Sequence, residues 1–457
     1  MALTRSAVLT LIAAYLGLFV GLVDANAVNL ALPAIRDDLG GGIAGAQWTI
    51  DAYNVTFAAF LLTAGSLGDR FGRRRLLRIG LIVFIGASVG CALAPALPVL
   101  LAARATQGVG AAMMLPQGLA ITTAAFPDPV DRARSTAAWA MAAAGSTAIG
   151  PLLGGVLVDS VGWRWIFGLN VPIGALAVLL SYRYLPESHN PGASSIDVAG
   201  QMLAVVGLGA LTVALVEGAA WPAGRVTTVA VLAAVVLAVF VRTQRRGAHP
   251  MLPLDLFRSR RLVAALFATF AMTFGIYGLL LVNSFAFQQQ RGVSALTTAV
   301  WFLPMPITYL VLIPAATALT RRTSPRLVMT AGLSLMAAGL LLYAAAGPHG
   351  SSWLLESSFM LAGAGLALNT GPAVALAMAA IPVRQAGLAA GMVNLARLLG
   401  ISIGVAVLGS ALAAVGGDGG VRCALLLGGV CQLVGAVVAL RLARPDPALI
   451  RRAMSDA

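Results

Sequence analysis

The 457-residue sequence is 59% hydrophobic and 10% charged, and its formal net charge of +14 comes from thirty arginines without a single lysine. A soluble globule carries about 25% charged residues, so this composition and a mean hydropathy of +0.91 exclude one and make lipid the solvent. The missing lysine excludes a phosphate-loop ATPase and a lysine Schiff-base enzyme, and arginines scattered over short loops form no nucleic-acid-binding stripe.

A helix needs about 20 apolar residues to cross about 30 Å of hydrocarbon. On that ruler the chain is predicted to be an all-α membrane protein with fourteen spans. The first six cover 8–34, 46–67, 76–95, 98–125, 134–158 and 165–184. A central pair covers 197–217 and 225–243. Six more cover 262–288, 296–320, 326–346, 353–380, 385–413 and 421–442. Domain limits follow at 1–185, 186–255 and 256–457. Arg5, the apolar stretch from Ala7 to Val23 and the Ala25-Asn26-Ala27 triplet imitate a secretory signal. The apolar pattern continues through Val28 to Ile35, so a retained first helix is expected.

Arginine is expensive in hydrocarbon and accumulates in cytoplasmic loops. One side holds Arg5, the cluster Arg70 to Arg78, Arg132 and Arg134, Arg242 to Arg261, Arg321 to Arg326, Arg384, and the tail Arg444, Arg451 and Arg452. The opposite loops hold single arginines such as Arg36, Arg164, Arg225 and Arg291. Both termini are therefore expected in the cytoplasm. Cys91, Cys423 and Cys431 sit in apolar runs, as packed free thiols do. His189, His249 and His349 lie far apart in loops, so neither a metal centre nor a cofactor is expected.

A shift of 250 residues places Arg134, Gly150 and Gly154 on Arg384, Gly400 and Gly404, and the basic turn at Arg70 near Arg321. Such duplication is how many secondary transporters are built, with the substrate site between the halves near the membrane midplane.

Four ionisable residues fall inside predicted spans, where they are functional candidates by default: Asp24, Asp51, Arg104 and Arg397. At about 1.5 Å per residue, Asp24 lies about 24 Å along the first helix, roughly 6 Å from its outer boundary, and Asp51 and Arg104 enter from that boundary to about 8 and 9 Å. The three share one depth. One arginine cannot satisfy two carboxylates equally; burial raises a carboxylate pKa and a nearby arginine lowers it, so one acid is expected to exchange a proton near neutral pH. A static ion pair that orients helices is the alternative for Arg104. For Asp51, a wet helix end marked by Gln47, Trp48 and Asp51 is the alternative. Arg397 has no acidic partner nearer in sequence than Glu356 and is a candidate for substrate or helix pairing.

The second-to-third helix turn reads Gly65-Ser-Leu-Gly-Asp69-Arg70-Phe-Gly72-Arg73-Arg74-Arg75. Gly72 permits a tight turn, and Asp69 can pair with the arginines around it. The string resembles the signature loop of the major facilitator superfamily. In that family the loop acts as a latch stabilising the outward-facing state. The matching turn in the second half, Ala318 to Thr323, lacks the Asp and Gly. Three further strings resemble the 14-spanner drug:proton antiporter branch: Val23 to Pro33, Gly145 to Gly155, and Trp163 to Gly174. In the second of these, Pro151 removes a helix hydrogen bond while Gly145, Gly150, Gly154 and Gly155 admit close neighbours. In the family this motif is linked to export. Leu101 to Gly110, around Arg104, resembles the fourth-helix motif associated with proton coupling.

The resemblance implies two six-helix bundles plus two extra central helices. It implies a multi-pass, monomeric exporter of small hydrophobic drugs, antibiotics or secondary metabolites in the cell inner membrane, exchanging cargo for protons. Asp24, Arg104 and Asp51 are the proton-coupling candidates. Asn54, Met113, Gln117, Tyr277, Trp301, Tyr309 and Arg397 are candidates for a mixed aromatic and amide pocket, which suits varied apolar molecules. Proton-coupled nutrient uptake is the alternative within transport. A membrane-embedded enzyme or sensor is the alternative outside it, disfavoured by short loops and by the lack of a Ser/His/Asp, Cys/His or metal-spaced cluster.

Overall fold

The computed structural model describes residues 5–126, 128–188, 197–247, 250–381 and 386–443. Arg384, the tail arginines, His189 and His249 lie outside them. The described residues form helices and turns with no strand. The helices are α1 (Arg5–Leu39), α2 (Gly42–Phe71), α3 (Arg73–Ala92), α4 (Leu97–Ala125), α5 (Pro129–Ser160), α6 (Arg164–Tyr184), α7 (Val198–Val216), α8 (Ala223–Arg246), α9 (Arg260–Phe285), α10 (Ala295–Phe302), α11 (Pro304–Arg322), α12 (Pro325–Ala346), α13 (Ser352–Ala379), α14 (Ala386–Val415) and α15 (Gly417–Leu442). Only Leu303, ahead of Pro304, separates α10 from α11, and the two make one continuous crossing, Ala295–Arg322. Pro304 has no N–H to extend the ladder of α10.

Taken this way, thirteen helical units among the described residues are both long and apolar enough to cross a membrane. The other, α4, has the length at 29 residues, but Arg104, Gln107 and Gln117 dilute its apolar character. The chain is an integral membrane protein. Lipid gives no hydrophobic drive between helices, so close approach through small residues does much of the packing.

In the first half, α1 lies against α4, α5 and α6, and α3 against α4 and α6, with α2 on α4. In the second half, α9 lies against α14 and α15, α12 against α13 and α15, and α11 against α13. The central α7 pairs with α8 and also touches α2 and α14, whereas α8 packs chiefly on α7. The 250-residue repeat has a spatial counterpart. A Cβ on Gly150 would stand 2.6 Å from Asn26 Cβ, and one on Gly154 2.6 Å from the Ala27 carbonyl, so α5 rides directly on α1. Gly400 and Gly404 meet the Phe270 and Phe274 carbonyls in the same way, so α14 rides on α9.

The halves touch through α2 with α14, α5 with α10, and α1 with α9. On the arginine-poor side, hydrogen bonds join them. Gln47 donates to the Val405 and Ala406 carbonyls at 3.0 and 2.7 Å, Gln288 to the Leu30 carbonyl at 3.0 Å, and Arg36 to Gln289 at 2.5 Å. Asp159, at the end of α5, accepts the backbone N–H groups of Ala295 and Leu296 at the start of α10, at 3.1 and 2.8 Å.

Candidate functional site

Asp24 and Arg104 meet. Arg104 Nη1 lies 2.6 Å from Asp24 Oδ2, and both side chains are sealed from solvent. A buried ion pair must be completed by hydrogen bonds to hold its geometry, and three other helices, with a second residue of α4, supply groups around this one. Asn170 of α6 donates to Asp24 Oδ1 at 2.7 Å. Gln107, one turn along α4, accepts from Arg104 Nη1 at 2.8 Å and donates to Asp24 Oδ1 at 3.4 Å and to Ser88 Oγ of α3 at 2.8 Å. Arg104 Nε donates to the Thr49 carbonyl of α2 at 3.0 Å. The guanidinium also lies 4.6 Å from the Tyr53 ring and 5.6 Å from that of Phe167, distances at which an aromatic face attracts a cation.

Asp51 is equally buried but faces elsewhere. Its Oδ1 accepts from Ser402 of α14 at 2.7 Å, and its Oδ2 has no partner among the described residues. Equal depth does not bring Asp51 to Arg104, because α2 points it at the second half.

A cavity lies between the halves. The first half lines it with Asn26, Thr147 and Pro151, and the second with Met272, Tyr277, Phe302, Tyr309, Thr370 and Arg397, among others. Asn26 is two residues from Asp24. A step of two on a helix turns the side chain through about 200°, so α1 carries the ion pair on one face and the cavity wall on the opposite one. Pro151 borders the cavity, one residue beyond the Gly150 contact with Asn26.

Of the pocket candidates, Tyr277, Tyr309 and Arg397 line this cavity. Asn54 lines a smaller crevice between α2, α7 and α14. Gln117 packs on Gly68 and donates to the Ala64 carbonyl at 3.1 Å, while Met113 crowds Gly80 of α3. Trp301 stands edge-on to Phe287 at 5.1 Å, within an aromatic cluster. Sequence reasoning singled out neither Gln107 nor Asn170 as a partner of Asp24, nor Thr147 as cavity wall. Amides inside apolar spans were the available signal for the first two.

In the second-to-third helix turn, Arg73 holds Asp69 at 2.8 Å. Arg74 donates to the Leu185 carbonyl at 3.0 Å and lies 3.6 Å from Glu187, and Arg70 lies over the Phe71 ring. Gly72 has a φ of 105°, a region where L side chains are strained. These partners lie in the first half or, at Glu187, just beyond its limit. Gly65 and Gly145 have open space where a Cβ would stand, and nothing in the structure explains glycine at either position.

Residues 14–405 match the family profile described as Major Facilitator Superfamily, with a second match over 305–455. The chain belongs to the Major Facilitator Superfamily. It is 40% identical over 414 residues to the multidrug resistance protein Stp of Mycobacterium tuberculosis, covering 90% of this chain and 77% of Stp. It is 33% identical to the methylenomycin A resistance protein of Streptomyces coelicolor, covering 94% and 91% of the two chains. Among solved structures, a POT family transporter in complex with a thioalcohol-conjugated peptide superposes with a TM-score of 0.71 over 95% of each chain at 15% identity. That last likeness concerns the fold alone.

Proposed function

We propose that this superfamily member is a proton-coupled antiporter that exports small hydrophobic drugs, antibiotics or secondary metabolites by alternating access. In this reading fourteen spans cross the cell inner membrane with both termini in the cytoplasm. Bundles at 1–185 and 256–457 rock about the central cavity, and the two helices of 186–255 stand beside them. One chain is the working unit in this reading, since residues from both halves of the same chain line the cavity.

The observation that carries the reading is the sealed Asp24–Arg104 pair, standing back to back with the cavity wall across α1. Asp24 accepts a proton from outside and Arg104 then loses its counter-charge. The α1 helix shifts against Gly150 and Pro151 of α5, and the bend reaches the cavity wall. Coupling runs through helix movement, because α1 separates the proton from the cargo. The driving force is adequate: one charge crossing about 100 mV is worth about 2.3 kcal/mol. Asp69, Arg70, Arg73 and Arg74 form the latch that closes the cytoplasmic face in the alternate state.

The relatives named for multidrug and methylenomycin A resistance support export over uptake. Purified chain in proteoliposomes with an imposed pH gradient tests it. Wild type is expected to move a hydrophobic dye against its gradient, and Asp24→Asn is expected to insert normally and lose that movement. Undiminished proton-driven transport by Asp24→Asn would overturn the role.

A further inference from the structure

Arg397 is the one charged side chain on the described wall of the central cavity. It stands on α14, whose backbone is pinned there by Thr273 Oγ1, which donates to the Arg397 carbonyl at 2.9 Å. The guanidinium is half-buried. Among the described residues its hydrogen-bond partner is Asn394 Oδ1, on its own helix, at 3.2 Å, and none of the ion pairs includes it. A guanidinium carries five N–H donors in a planar fork, so most of this one is available to a guest. The contrast with Arg104 is direct: that arginine has its carboxylate, and Arg397 faces a space.

The surroundings select the rest of the guest. Tyr277, Tyr309 and Met272 offer two rings and a polarisable thioether, surfaces that hold flat aromatic bodies. Thr147, which a shift of 250 residues places on Arg397, faces the same cavity from α5 with a neutral hydroxyl. The two halves are thus unequal in charge at equivalent positions. With no carboxylate on the described wall, a lipophilic cation meets repulsion and an acid meets a fork-shaped partner.

We propose that the cavity takes lipophilic organic acids, in which an aromatic body lies among Tyr277, Tyr309 and Met272 and a carboxylate receives the Arg397 fork. This rests on reading the cavity as the cargo site of an exporter, and it narrows the cargo from hydrophobic compounds in general to anionic ones.

The test is equilibrium binding to the purified full-length chain, using 1-pyrenebutyric acid, its primary amide and pyrenebutyltrimethylammonium as fluorescent probes. The acid is expected to bind at least about tenfold tighter than the amide, the usual worth of a hydrogen bond to a charged group, and the cation weakest. Arg397→Gln is expected to bring the acid to the level of the amide while the amide is unchanged, and Arg397→Lys to restore part of the preference. Equal binding of acid and amide, tightest binding of the cation, no saturable binding of any probe, or a Gln variant that keeps the preference would each overturn the proposal. Equilibrium binding needs no proton gradient. Failure of proton-driven transport with the acid preference intact would sink the antiport reading and leave the anion site standing, and the reverse result would do the opposite.

Discussion

Asp159 caps Leu296 across the two halves of the molecule: its carboxylate accepts that backbone N–H at 2.8 Å and the neighbouring N–H of Ala295 at 3.1 Å. An unsatisfied helix N-terminus gains about 1 kcal/mol from such a cap. Asp159→Ala is therefore expected to raise the population open on the arginine-poor side about fivefold. Distances between spin labels at Val161 and Val300, both exposed, would report it. An unchanged distance distribution would show that the cap contributes nothing to closure.

The Asp51–Ser402 contact makes a second, thermodynamic prediction. Ser402→Ala removes the hydroxyl and leaves a buried carboxyl without its partner, at a cost of about 1 to 3 kcal/mol. Asp51→Leu combined with Ser402→Ala removes both polar partners and is expected to recover most of that loss. Thermal unfolding of the single and double variants in detergent measures the coupling. Strict additivity would mean that the two groups do not depend on each other.

Gly154 is the tightest of the α5 glycines against α1 at the Ala27 backbone, with a Cβ 2.6 Å from its carbonyl and 2.9 Å from its Cα. Overpacking of this kind costs typically 1 to 3 kcal/mol, so Gly154→Val should lower the unfolding midpoint, and Gly404→Val should do the same at α9. Gly145→Ala, where a Cβ meets nothing within 4 Å, is expected to unfold like wild type. A destabilised Gly145→Ala would point to a close approach formed only in the other conformation.

At the second-to-third helix turn, Gly72→Ala forces a side chain into a φ of 105° and sets its Cβ 2.9 Å from the Glu187 carboxylate. Strain of about 1 to 3 kcal/mol is expected there. It should appear as faster amide hydrogen exchange over Arg73 to Arg78 and weaker transport. Gly65→Ala is the matched control, with no atom near its Cβ. Unaltered exchange in the Gly72 variant would remove the turn from the proposed latch.

The long apolar helices and the meeting of Asp24 with Arg104 were legible in the sequence because both follow from one-dimensional quantities. Hydrocarbon thickness sets span length, and rise per residue sets depth. Azimuth is different. Asp51 shares the predicted depth of Arg104, yet its direction depends on how α2 is rotated between α4 and α14, which no local pattern encodes. Met113, Gln117 and Trp301 show the same gap: mixed polarity announced a pocket, and packing partners elsewhere absorbed them. Gln107 and Asn170 carried a readable signal, since an amide in an apolar span needs a partner. Asp159 carried less, because a carboxylate at a helix end is ordinarily solvated.

The central helix α7 is tied to both sides of the seam. Gln201 accepts from Thr63 of α2 at 2.5 Å, and the Leu215 carbonyl accepts from Ser410 of α14 at 2.7 Å. Just past its end, Glu217 accepts from Trp48 at 2.8 Å. A strut fastened to two plates cannot keep every fastening when the plates change their angle. In the proposed rocking cycle each turnover undoes at least one of these bonds, and whichever side lets go sets the direction in which the α7–α8 pair is carried through the surrounding lipid.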